Sequence, residues 1–514
     1  MRTPTPAHVP GPALHSRRAA ATRSGAPRIP ACAPKKWRAP ARGACSRLAA
    51  SALGRPCGAR QRGLALYLLL LLTFFAATAL LVQRSSALVR DREAASDAAL
   101  ALAKEALMAY ALTYGESHPN KLPGYLPCPD SGTRGVNRHE GSPDPPCGRK
   151  GVSLIGRLPW HQLGLEPLRD AGGECLWYSV SGAFKNDPAA DMLNWDSLGQ
   201  LVVSEADGSS LVAGATAEER AAAVIFAPGA PIGAQRRDAT SLAPLCGGNY
   251  GPENYLEAHG DLNNAIVSSL PNALSTLVSG GNGNGVNDRL IVITAQEIFA
   301  AVQRRTNFQA QMKEHLQRLA VCVAAYGTRN RAGAGDSRLP WAAPLALADY
   351  GDNDAYADSA GRLAGRLPYR VALSRNATGN TMGSSELIKA GNCPSPWTPL
   401  DDEWYQNWKD HLFYAVAGAY APAASPPGVC GDCLSVNGTG RYAAILIFAG
   451  ARIPGQRRSA VGDRASIGNY LEERNAANYP NAGGNADYRS DAPSSLFNDL
   501  LYCIDTSLRA APCT

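Results

Sequence analysis

The chain has 514 residues, 45% of them hydrophobic and 18% charged, which is enough apolar material for roughly two to four packed domains and excludes a wholly disordered protein. Its net charge of +7 is uneven: residues 1–62 hold thirteen Lys and Arg and no Asp or Glu, so everything after them carries −6. The basic character therefore describes a tail and not the body of the protein.

Residues 1–62 are rich in Pro, Ala, Arg and Ser with no apolar period, a composition that buries too little surface to offset the entropy of ordering, and they are expected to be a disordered cytoplasmic tail. A basic tail can bind nucleic acid or anionic lipid. The same composition also arises from a GC-rich reading frame or an upstream start codon, and no nucleic-acid partner is expected.

Leu64 to Val82 is nineteen residues without a charge, about 28 Å of helix against a hydrocarbon core of about 30 Å, so residues 63–83 are expected to cross a membrane. The preceding positive charges place the amino terminus in the cytoplasm and the bulk of the chain outside. The competing reading is a cleaved signal peptide, with Ala77-Thr78-Ala79 as its cleavage site. Ser86 to Tyr114 has no Gly or Pro and sets Leu100, Ala103, Leu107, Tyr110 and Tyr114 at helical spacing, so a single helix is expected from Leu64 to Tyr114, about 75 Å long.

Six short strings then recur in order. Leu107 to Gly115 answers Leu319 to Gly327, each the end of a helical pattern with Gly as a stop signal. Gly156-Arg-Leu-Pro-Trp160 answers Gly365-Arg-Leu-Pro-Tyr369, and Leu176 to Gly182 answers Leu412 to Gly418. Ala222 to Ala227 answers Ala444 to Ala449, which aligns Phe226 with Phe448, and each is followed by Gln-Arg-Arg at 235–237 and 456–458. Asn254-Tyr-Leu-Glu257 answers Asn469-Tyr-Leu-Glu472, and Asn287 to Ile293 answers Asn498 to Ile504. The expectation is two tandem α+β domains, 84–294 and 295–514, each a helix laid on an antiparallel sheet, with the second helix over Ala295 to Tyr326.

Arg60-Gln-Arg-Gly63 leading into the apolar run, the helix ending Glu105-Ala-Leu-Met-Ala-Tyr110, Leu126-Pro-Cys-Pro-Asp130, Gly156 to Leu165 and Leu176 to Val180 together resemble type IV pilin-like proteins, the class of minor pilins and type II secretion pseudopilins. The resemblance implies a non-enzymatic, inner-membrane-anchored structural or interaction component whose partners are the inner membrane and other pilin-like or secretion-system proteins. An enzyme or adhesin carried on a pilin-like anchor is the alternative. Two positions depart from the family pattern: Leu64 follows Gly63 where an aromatic residue is usual, and the fifth position is Leu68 in place of Glu.

Ten of the thirteen cysteines follow the apolar run, four in the first expected domain and six in the second, and even numbers outside a membrane point to disulfides. Cys128 and Cys147 flank a Pro- and Gly-rich loop whose closure is worth about 3 kcal/mol in the chain-entropy model. Cys430-Gly-Asp-Cys433 reads as a local disulfide, a redox dithiol or half of a zinc site. Asp352, Asp354 and Asp358 are spaced as carboxylate ligands for calcium but without the Gly and Glu of an EF-hand, so a solvated turn competes with that reading. HExxH, GxSxG and phosphate-loop motifs are absent, the eight His show no ligand pairing, and Gly281-Asn-Gly-Asn-Gly285 precedes a strand where a phosphate cradle would follow one. No cofactor and no catalytic residue is expected.

Overall fold

A computed structural model of the protein describes residues 61–133, 138–143, 146–208, 210–280, 285–305, 308–329, 338–372, 383–388, 393, 397–422, 430–431, 433–479 and 486–513. The expected tail, except for its last two residues, and positions 281–284 of the glycine run lie outside this set.

The apolar run and the patterned segment after it form one helix, α1, Gln61–Ser117. Residues 61–77 belong to one unit and Thr78–Thr514 to another. In the first unit Leu66, Leu69, Leu72 and Phe75 are exposed, and among the described residues this is the one helix long and apolar enough to cross a membrane. In the second unit Ser96, Leu100, Ala103, Leu107, Ala111 and Tyr114 form a buried stripe at three- and four-residue spacing, while Tyr110 lies half-buried at its edge.

Two seven-stranded sheets follow, in a mixed α+β architecture. The first holds β1 (Leu154–Arg157), β2 (Trp177–Val180), β3 (Leu201–Glu205), β4 (Leu211–Ala213) and β5 (Ala221–Ala227). After a small hairpin of β6 (Ala258–His259) and β7 (Leu262–Asn263), β8 (Ser275–Ser279) joins the sheet beside β3 and β9 (Arg289–Thr294) beside β5. Next come the helices α2 (Ala295–Arg305) and α3 (Phe308–Arg329).

The second sheet begins with β10 (Ala364–Arg366). A separate pair, β11 (Arg370–Ala372) and β12 (Ser384–Glu386), and the helix α4 (Pro399–Trp408) precede β13 (Leu412–Val416), β14 (Leu434–Val436) and β15 (Thr439–Phe448). Two short helices, α5 (Val461–Arg464) and α6 (Glu473–Ala477), lead into β16 (Asp487–Tyr488), β17 (Leu500–Asp505) and β18 (Ala510–Ala511).

The central pairings of the two sheets coincide. Gly156 sits opposite Tyr178 and Gly365 opposite Tyr414; Tyr178 sits opposite Ile225 and Tyr414 opposite Leu446; Ile225 faces Ile291 and Leu446 faces Tyr502. The β5–β9 ladder breaks register between Ala221 and Ala223, and the β15–β17 ladder breaks between Tyr442 and Ala444. Each buried tyrosine places its hydroxyl on a proline carbonyl, Tyr178 on Pro127 and Tyr414 on Pro340, both at 3.2 Å.

This register corrects the alignment of the strands. Trp177 faces Phe226, whereas Phe413, at the matching place, faces Ile447, so the counterpart of Phe226 is Ile447 and that of Phe448 is Ala227. Because successive strand residues alternate faces, Phe226 and Phe448 occupy opposite faces of their sheets. Phe226 packs with Trp177, Val224 and Tyr255, and Phe448 with Trp195, Phe308 and Trp408.

The helix expected over Ala295 to Tyr326 is divided. Thr294 and Glu297 form a capping box, with Thr294 N–H donating to Glu297 Oε2 at 2.9 Å and Glu297 N–H to Thr294 Oγ1 at 3.3 Å, which starts α2 directly at the end of β9. Lys104 pairs with Glu297 at 2.5 Å and Glu116 with Arg305 at 3.1 Å, so α2 runs alongside α1 in the same direction. The helix against the second sheet is α3, which buries Met312, Leu316, Leu319, Ala320 and Val323. Gly115 and Gly327 are also not helix stops, since both helices continue past them. A Cβ on Gly115 would stand 2.4 Å from Lys121 O, so close approach of the returning backbone requires glycine there, whereas one on Gly327 would meet the side-chain ends of Leu339 and Leu508, at 2.8 and 3.0 Å. The buried residues of α1, α2, α3 and the helix-side faces of both sheets form one continuous core.

Candidate functional site

The ten cysteines after α1's apolar part are joined as Cys128–Cys147, Cys175–Cys246, Cys322–Cys393, Cys430–Cys433 and Cys503–Cys513. Cys175–Cys246 leads directly into β2, and Cys503–Cys513 ties β17 to the segment that follows β18.

The acidic loop spreads its carboxylates over separate tasks. Asp352 Oδ1 accepts from Asp354 N–H at 2.9 Å and caps the turn Asn353–Ala355, Asp354 pairs with Arg370 at 2.7 Å, and Asp358 accepts from Ala372 N–H at 3.3 Å. The cation that this loop holds is internal. Lys409 Nζ, fully buried, donates to Gly351 O at 2.6 Å and Asn353 Oδ1 at 2.7 Å, and burial lowers the ammonium's pKa to about 8. Among the described residues no three His, Cys, Asp or Glu side chains are placed to share a metal.

The recurring Gln-Arg-Arg, Asn-Tyr-Leu-Glu and Asn-Asp strings converge on one polar cluster in each half. Gln235 Nε2 donates to Glu257 Oε1 at 2.7 Å, and Gln456 Nε2 to Glu472 Oε1 at 3.0 Å. Arg237 lies 4.7 Å over the ring of Tyr255 and Arg458 4.4 Å over that of Tyr470. Asp288 Oδ2 receives Glu257 N–H at 2.8 Å and Asn264 Nδ2 at 2.9 Å; Asp499 Oδ2 receives Glu472 N–H at 3.2 Å and Asn475 Nδ2 at 2.9 Å. Each cluster thus buries two carboxyls side by side. Burial first, then the neighbouring Glu257 or Glu472, pushes Asp288 and Asp499 well above the usual carboxylate range. The remaining oxygen of each Asp, Oδ1, is buried with no hydrogen-bond partner among the described residues.

A folded-state pKa above the unfolded value of about 4 stabilises below that pH and is lost as pH rises through the folded value, at about 1.4 kcal/mol per pH unit for each carboxyl. Unfolding of the full chain by urea is therefore expected to show stability declining toward alkaline pH, and Asp288→Asn with Asp499→Asn to flatten that limb. An unchanged slope in the double variant would show that these carboxyls carry no proton.

The clusters differ where the second half meets Leu193-Asn-Trp-Asp196, a fully buried segment with no counterpart among the recurring strings. His411 takes the place that Cys175 occupies in the first half. Its Nδ1 lies 2.8 Å from Asp410 Oδ1 and its Nε2 lies 2.9 Å from Asp196 Oδ2 and 2.7 Å from Trp195 Nε1. Arg458 Nη1 reaches Asp196 Oδ2 at 3.1 Å, and Arg452 Nε reaches Asp196 Oδ1 at 3.2 Å. Asn194 Nδ2 donates to Asp410 Oδ1 at 3.0 Å and Asn407 Oδ1 receives Leu193 N–H at 2.6 Å. Burial alone would raise Asp196 and Asp410. The His411 hydrogen bond and the Arg458 charge at Asp196, and His411 with Arg464 at Asp410, outweigh it and hold both below the ordinary range.

An Asp-His-Asp line has the parts of a proton relay, but His411, Asp196, Asp410 and Arg458 are all within 2% of full burial, and the hydroxyls beside them belong to the buried Tyr470, whose ring lies 5.5 Å from that of His411, and to Ser197, whose Oγ accepts from Asn194 N–H at 3.0 Å. Its geometry suits a joint between the halves. Sequence reading missed it because Asp196 and His411 stand 215 positions apart, with no local motif around either. Comparison with protein-family models, curated proteins and solved structures found no match.

Proposed function

We propose that the chain is a non-enzymatic, membrane-anchored structural or interaction component of a type IV pilus or type II secretion-like system, with two tandem pilin-like domains in the periplasm. The observation that carries this reading is α1: an apolar, exposed stretch continuing without a break into a stripe buried against a sheet that is antiparallel except for its β3–β8 pair, the helix-on-sheet arrangement of pilin-like proteins. The shared pairing of the two sheets supports a duplicated domain, the five disulfides fit an oxidising compartment, and the positive charges before the apolar run fit a cytoplasmic amino terminus.

Beyond the apolar run, α1 keeps Leu88, Val89 and Leu102 exposed. On this reading they face neighbouring subunits. A photo-crosslinking residue at Leu88 or Leu102, in cells carrying the native assembly system, is expected to capture pilin-like or secretion-system proteins identifiable by mass spectrometry. Capture of lipid alone, or of a soluble substrate-processing partner, would defeat the proposal and move the balance to an anchored enzyme.

A further inference from the structure

Lys409 stands between the end of α4 and the start of β13, and its side chain is fully buried. Its Nζ reaches into the loop between α3 and β10, where it lies 2.7 Å from Asn353 Oδ1 and 2.6 Å from Gly351 O. Among the described residues it is the one lysine that donates to a side-chain carboxamide. A carbonyl bond is about 1.2 Å long, so the amide carbon Cγ of Asn353 lies less than about 4 Å from this nitrogen. That is close to the separation of about 3–3.5 Å at which oriented groups in one molecule react.

The nitrogen has the character of a nucleophile. Burial lowers the Lys409 ammonium to about 8 against the opposite pull of the Asp410, Asp191, Asp349 and Asp352 carboxylates, so about a tenth of it is neutral amine at pH 7. Asn353 is half-buried and lines a polar cleft together with Asp191, Asp349 and Asp352. The cleft gives a departing ammonia its way out, and its carboxylates can carry the moving proton.

We propose that Lys409 and Asn353 form a modification site, at which Nζ displaces the carboxamide nitrogen and an intramolecular isopeptide bond joins the two side chains. The neutral amine adds to Cγ while the carbonyl electron pair moves onto Oδ1. As the carbonyl re-forms, the Cγ–Nδ2 bond breaks, and Nδ2 leaves as ammonia with the proton that Nζ gives up; no oxidant or reductant is consumed. The bond fastens the acidic loop to the segment that carries Asp410 and His411, 56 positions further along the chain. The inference does not depend on the proposed cellular role.

The test is mass spectrometry of the full chain in detergent, on purification and after incubation at pH 6 and at pH 9. The intact chain is expected to lose the mass of one ammonia, and proteolysis to release a branched peptide joining Lys409 to Asn353. Any unlinked remainder should convert faster at pH 9, where more of the amine is neutral. Asn353→Ala and Lys409→Met should each abolish the link. A succinimide at an Asn-Gly pair such as Asn437-Gly438 also releases ammonia, but it would persist in Asn353→Ala. Should Lys409→Met fail to fold, the peptides of the unaltered chain decide. Lys409 and Asn353 found only in separate peptides after incubation at pH 9, an ammonia loss undiminished in Asn353→Ala, or a remainder that converts no faster at pH 9 would overturn the inference.

Discussion

Replacing Arg458 by Met is expected to destabilise the chain by about 3–5 kcal/mol, because it removes the fully buried one of the two arginines on the Asp196 carboxylate, leaving Arg452 at 3.2 Å and His411 at 2.9 Å, and deletes the guanidinium's own hydrogen bonds while nearly preserving volume. The guanidinium lies 3.1 Å from Asp196 Oδ2, donates to Gly450 O at 3.0 Å and Gln456 Oε1 at 2.9 Å, and packs over Tyr470. Arg237 holds the same place in the first half, where its ionic partner is Glu174 at 3.1 Å. Glu174 is 23% exposed and can turn to water when the arginine is removed, so Arg237→Met is expected to cost less. Urea unfolding of both variants measures the difference. The pH dependence should change too. Asp196 is held below its ordinary value, so its contribution is present above about pH 4 and lost as pH falls through the lowered folded value. Arg458→Met should shorten that acid limb. Equal losses in the two variants would show that the Asp196 segment does not lock the halves together.

Phe448→Ala is expected to cost about 3–5 kcal/mol, the usual loss for deleting a buried aromatic ring. Its ring centroid lies 5.7 Å from those of both Trp195 and Trp408 and 5.9 Å from that of His411, so the cavity would open at the centre of the seam. Ala227, its counterpart by register, is 2% exposed, and Ala227→Phe is expected to destabilise by about 1–3 kcal/mol through overpacking. Were Phe226 the true counterpart, Phe226→Ala would instead disturb the same seam as Phe448→Ala. A double variant distinguishes the cases: Phe226→Ala and Phe448→Ala should add within about 0.5 kcal/mol, as separate sites do.

Several features were legible in the sequence because they are local. An uncharged apolar run, a stripe at three- and four-residue spacing and the absence of Gly and Pro between Ser86 and Tyr114 dictate a long helix wherever the chain is placed. The recurring strings also located both central strands. Their phase was beyond reach: every residue of β5 is buried, so no alternation of apolar and polar residues marked which side chain faces which way, and matching Phe to Phe slipped the alignment by one position.

The remaining decisions depended on residues far apart in the chain. Nothing local tells that α2 lies along α1, since the partners of its Glu297 and Arg305 are Lys104 and Glu116. The acidic loop has the spacing of a cation site, yet the tertiary structure brings the ammonium of Lys409 to its carbonyl and amide oxygens. Composition supplied the charges and periodicity supplied the elements. Which charge meets which was decided by packing, because a buried ion finds a partner wherever the fold delivers one within about 4 Å, and that distance in space has no expression in sequence separation.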